Sequence, residues 1–120
     1  MNTLALALVS LVALIHAYIF VLESVLWTRP YGMKTFRMDA ARAEATRTLA
    51  LNQGLYNLFL AAGLVWALGS GPELVPRAAF FLGCVAVAGV VGAVSVQRSI
   101  LYVQTLPASL ALLALFLARR

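Results

Sequence analysis

Two side chains in the first apolar stretch, His16 and Glu23, and a polar hexapeptide in the second, Asn52-Gln53-Gly54-Leu55-Tyr56-Asn57, are the residues whose types and spacing could do chemistry. A carboxyl with an imidazole can serve as general acid and base, and amides with a phenol can orient a polar ligand. His16 and Glu23 are seven residues apart, which puts them on one helix face with Phe20 and Trp27. About 10.5 Å of helix rise separates them, so a shared water or ligand would have to link the two. No metal is indicated: the single cysteine, Cys84, has no C-x-x-C or Cys/His partner at zinc spacing. Nor does the chain carry an H-E-x-x-H helix, a Gly-rich phosphate loop or a nucleophile motif, so no cofactor is expected.

The elements that must position these residues are membrane spans. Of 120 residues, 63% are hydrophobic and 11% charged, against roughly 45–50% and 25% in a soluble domain. At about 20 residues per span, the chain has room for four helices with short loops. The expected architecture is all-α: an integral membrane, antiparallel four-helix bundle forming a single transmembrane domain over 1–120, with spans at 4–27, 49–68, 77–97 and 99–118. The first stretch lacks a basic leader and is too long for a signal-peptide core, so it is read as a retained span. Thr28-Arg29-Pro30-Tyr31-Gly32 ends it, and Gly69-Ser70-Gly71-Pro72 ends the second. Between them, Asp39 is a candidate cap for a short surface helix within Met38 to Thr48. A very short link at Arg98 makes spans three and four antiparallel neighbours. Pro107 frees a carbonyl near Val103 and predicts a kink there.

The formal net charge of +5 does not point to nucleic acid, because the cations lie in loops and at the end. They read instead as topology signals and contacts to membrane lipids. The loop at 28–48 carries Arg29, Lys34, Arg37, Arg42 and Arg47, and Arg98 falls on the same side; Arg77, Arg119 and Arg120 fall on the other. The excess predicts a cell-membrane protein with both termini outside and the 28–48 loop in the cytoplasm.

Sorted by depth, the polar side chains are one-sided. Glu23, Asn52, Gln53, Tyr56 and Asn57, then Ser95, Gln97, Arg98, Tyr102, Gln104 and Thr105, all belong to the half beside the basic loop, with His16 near the midplane. The opposite half has only Ser10, Cys84 and Ser109, each satisfied by its own helix or buried as a small hydrophobe. The pattern suggests a blind polar pocket opening toward the loop. Bland readings stand beside it: Glu23 as a structural carboxylate bonded to Arg98, Asn52 or Tyr56, His16 as a packing residue, the amides as glue between helices, and Arg98 as a topology charge. Gly83, Gly89 and Gly92, with Ala88 and Ala93, allow close helix approach, either within the chain or in a homo-oligomer.

Three groups of residues carry a family likeness: Glu23-Ser24-Val25-Leu26-Trp27 with Pro30 and Gly32, the hexapeptide followed by Phe59-Leu60-Ala61-Ala62-Gly63, and Val103-Gln104 with Pro107-Ala108. On these the chain resembles a family of small four-helix membrane proteins, mainly bacterial, catalogued as domain of unknown function 1304. His16 also fits the pattern, and the likeness spans nearly the whole chain. It implies a four-helix integral membrane protein and no established activity. Function then rests on the residues. One hypothesis is a binding site for a small amphipathic or lipid-like molecule, using Glu23, Asn52, Gln53, Tyr56, Asn57, Arg98, Tyr102 and Gln104. The alternative is a membrane enzyme with Glu23 or His16 as general acid or base. A proton-coupled transporter ranks last, because only half of a path is polar.

Overall fold

Helix boundaries follow from where the chain supplies caps and turns. The structure, a computed structural model, describes residues 2–119, so Arg120 of the terminal pair lies outside the described residues. Helix α1, Thr3–Ser24, starts where Asn2 Oδ1 accepts the Ala5 N–H at 2.8 Å. It ends three residues before Trp27, because the Leu26 N–H reaches back to the Val21 carbonyl that Val25 also uses. That shared acceptor loosens the last turn and frees Trp27 from the helix.

Two short helices follow. The first, α2, covers Pro30–Thr35 with proline in its first turn, where a missing N–H costs nothing. It was not foreseen from the sequence. The second, α3 at Ala40–Ala45, is the expected surface helix: Asp39 caps it by accepting the Arg42 N–H at 2.8 Å. Helix α4 then runs Arg47–Leu68. A 3₁₀ turn at Gly71–Glu73 leads into α5, Leu74–Ser95, and a π-helical turn at Leu101–Thr105 leads into α6, Leu106–Ala118. The irregular π turn lies where Pro107 was expected to disturb the fourth span. α5 starts before Arg77 because that guanidinium sits over the Trp66 ring, 4.1 Å from its centroid, and need not mark a helix end.

Among the described residues, four helical stretches are long and apolar enough to cross a membrane: Thr3–Ser24, Arg47–Leu68, Gly71–Ser95 and Leu101–Ala118. The chain is a multi-pass membrane protein, all-α and compatible with a four-helix membrane bundle.

Its contacts divide into two compact units: Met1–Ile15 with Leu60–Arg120, and His16–Phe59. We call them the apolar unit and the polar unit. In the apolar unit the core is small and aliphatic, with Val9, Leu64, Leu82, Val85, Ala111 and Leu115 buried. Antiparallel α5 and α6 approach closely because Gly89 lies under Thr105, where any Cβ would collide with the threonine hydroxyl. Thr105 Oγ1 donates to the Ala86 carbonyl at 2.9 Å, a hydrogen bond from the π turn to α5. Gly92 lies against Ile100, whereas Gly83 faces open space. Two of the three glycines in the small-residue pattern therefore serve packing within the chain, where dispersion and close approach stand in for a hydrophobic drive that lipid cannot supply.

Candidate functional site

In the polar unit, helix periodicity splits the hexapeptide between two faces. Ala50 and Gly54 are buried and Asn57 is half-buried, at positions that recur every three to four residues along α4. Asn52, Gln53, Leu55 and Tyr56 are exposed. Gly54 makes the close approach: a Cβ there would strike Ser24 Oγ and lie 3.2 Å from Glu23 Cβ and 3.3 Å from the Phe20 carbonyl. The last two turns of α1 and the second turn of α4 are thus in backbone-near contact, which only glycine permits.

That approach brings the carboxyl and the amide together. Asn57 Nδ2 donates to Glu23 Oε1 at 2.7 Å and to the Gln53 carbonyl at 3.1 Å. Glu23 is 8% exposed, and no Lys or Arg of this unit pairs with it. An amide is therefore its partner, a neutral donor that fixes the carboxyl's direction without neutralising it. Beside it, Ser24 Oγ is buried with no hydrogen-bond partner among the described residues. Buried hydroxyls are seldom left so; Ser24 stands in the family-like stretch 23–27 but not among the candidate site residues.

The outward face has a different character. The side-chain amides of Asn52 and Gln53 have no partner among the described residues. Tyr56, 60% exposed, meets Phe59 edge to face with ring centroids 6.1 Å apart. His16 is fully buried and already partnered.

The end of the polar unit is closed by residues that spacing alone did not reveal. Trp27 Nε1 donates to Thr46 Oγ1 at 3.1 Å, and its ring lies 4.8 Å from that of Phe36. Gly32 packs directly against the Leu26 carbonyl. Tyr18 and Tyr31 share a hydrogen bond between their hydroxyls. The usable signal was aromatic residues on both sides of Pro30-Tyr31-Gly32, the start of α2; sequence offsets of 13 and 19 residues hid the pairs.

The remaining candidates, Arg98, Tyr102 and Gln104, belong to the apolar unit. Arg98 and Tyr102 are exposed; Gln104 is half-buried and partnered. Ser95 Oγ is taken up by its own helix, donating to the Val91 carbonyl at 2.6 Å. Among the described residues, no three His, Cys, Asp or Glu side chains gather where they could hold a metal ion.

A family model described as a protein of unknown function (DUF1304) matches residues 10–116, and the chain belongs to that family. No curated protein and no solved structure matches it.

Proposed function

We propose that this member of the family holds a small amphipathic or lipid-like molecule at the polar unit, in the membrane half beside the 28–48 loop. Asn52, Gln53 and Tyr56 bind the polar part of the molecule, and the Glu23–Asn57 pair behind them sets the shape of the wall. The observation that carries the reading is the pair of exposed amides at 52 and 53. They lie about 7–9 Å along the helix from Arg47, with Tyr56 about 13 Å in. An amide facing hydrocarbon without a partner costs a few kcal/mol, so evolution removes it unless something polar meets it there. Tyr56 against Phe59 adds an aromatic surface on which an apolar tail can lie.

In this reading Glu23 is a positioning residue, held by Asn57. The protein is proposed to lie in the cell membrane with the 28–48 loop in the cytoplasm, the side with more Lys and Arg.

The test is native mass spectrometry of full-length protein extracted in mild detergent. A retained small molecule or lipid, released from the N52L/Q53L/Y56F variant, is the expected result. An empty wild-type protein, or equal retention by the variant, overturns the proposal.

A further inference from the structure

The cations of the 28–48 loop sit on a folded strap rather than a loose tether. Trp27 bonds Thr46, Phe36 stacks on Trp27, Gly32 packs under Leu26, and Tyr31 bonds Tyr18. These ties hold the strap against α1 from Tyr18 to the residues just past its end, and to Thr46 just ahead of α4. The stretch carries five basic and two acidic residues. Only Arg47 has an ion partner among the described residues, Glu44 at 3.6 Å, while Asp39 is engaged as the cap of α3. Arg29, Lys34, Arg37 and Arg42 are all exposed with no ion partner among the described residues.

A second observation singles out Arg37. Helix α2 ends in a Schellman arrangement: the Met38 N–H bonds the Met33 carbonyl at 3.0 Å and the Arg37 N–H bonds the Lys34 carbonyl at 3.3 Å. The residue between must adopt left-handed backbone, and Arg37 does so with φ of 52°. Glycine is the usual occupant, and among the described residues Arg37 is the one non-glycine with positive φ. A strained position that keeps a long cation where glycine would relax the backbone indicates that the cation has a use.

We propose that the strap is a docking surface for anionic phospholipid headgroups of the adjoining leaflet, gathered by Arg29, Lys34, Arg37 and Arg42 with Arg37 at the turn. Charge complementarity favours this occupant, and so does position: a surface anchored at two span ends meets lipid phosphates before it meets anything else. The exposed rings of Tyr31 and Phe36 flank the cations as interfacial anchors. The surface is separate from the Asn52–Tyr56 face and does not depend on the reading given to that face.

The experiment is native mass spectrometry of the full-length protein in neutral detergent with equal amounts of phosphatidylglycerol and phosphatidylcholine, at low and high salt. Retention should favour phosphatidylglycerol by at least about tenfold and fall as salt rises. R29Q/K34Q/R37Q/R42Q should bring the ratio close to one, whereas Arg119→Gln leaves it unchanged. The single variant R37G should cut the ratio about fivefold, the fold-change of one basic side chain at an anionic leaflet, without lowering the melting temperature, since it relaxes the backbone. R37G keeps the test valid should the quadruple variant fail to fold. Equal retention of both lipids, or a preference that survives the substitutions, overturns the proposal; equal retention together with binding of an acidic peptide would reassign the surface to a protein partner. The molecule assigned to the Asn52–Tyr56 face should stay bound in R37G, so the two proposals fail separately.

Discussion

The two units hold their helices together by different means. In the apolar unit, Gly89 lets the Thr105 side chain reach α5, one hydroxyl bonds the Ala86 carbonyl, Arg77 and Phe81 meet the Trp66 ring, and the buried core is aliphatic. In the polar unit, Gly54 makes a similar close approach, but what it brings together is a buried carboxyl, an amide and an orphan hydroxyl. The polar unit instead ties its helices with a buried hydrogen bond, and it leaves the amides of Asn52 and Gln53 exposed with no side-chain partner among the described residues, which packing does not require.

Substitutions can break this comparison. The largest effect should come from Gly89→Leu, which drives a side chain into Thr105 and its backbone. A loss of about 3 kcal/mol or more is expected, at or beyond the upper end of overpacking costs, read as a lowered melting temperature in detergent. Gly54→Leu should cost about 2–3 kcal/mol by the same measurement, and it should also disturb ligand retention, which Gly89→Leu in a folded fraction should not. A double-mutant cycle of Glu23→Leu and Asn57→Leu should give a coupling of about 1 kcal/mol, between the ~0.6 average and ~1.7 maximum for hydrogen bonds within membranes. Thr105→Val removes one such bond, for about 0.6 kcal/mol. Gly83→Ala, which meets open space, should fall within about 0.5 kcal/mol of wild type. A Gly83 variant that destabilises as much as Gly89→Leu would place a partner surface there.

What could be read from the sequence was what hydropathy and turn chemistry encode. The four spans, the Asp39-capped helix and the irregular fourth span all follow from local signals. Boundaries slipped where a residue had a second use. Trp27 looked like the end of a span, yet it leaves α1 to bond Thr46; Arg77 looked like a helix end, yet it stacks on Trp66 inside α5. The candidate residues were also found by type and depth, but depth does not assign a face. A period of 3.6 residues placed Gly54 and Asn57 inward and Asn52, Gln53 and Tyr56 outward, so a set read as one pocket lining is divided in two. Pairs such as Tyr18 with Tyr31 depend on how the chain turns between Ser24 and Pro30, which no local pattern reveals.

The central claim is that the inward half of the hexapeptide holds the polar unit together while its outward half holds a ligand. It is tested most directly by measuring melting temperature and retained small molecule side by side for N52L/Q53L/Y56F and for Asn57→Leu. The account predicts opposite patterns: the outward triple variant keeps its melting temperature and loses the molecule, and Asn57→Leu melts lower while its folded fraction retains more of the molecule than the triple variant does. Loss of stability in the triple variant, or retention unaffected by it, would contradict the claim.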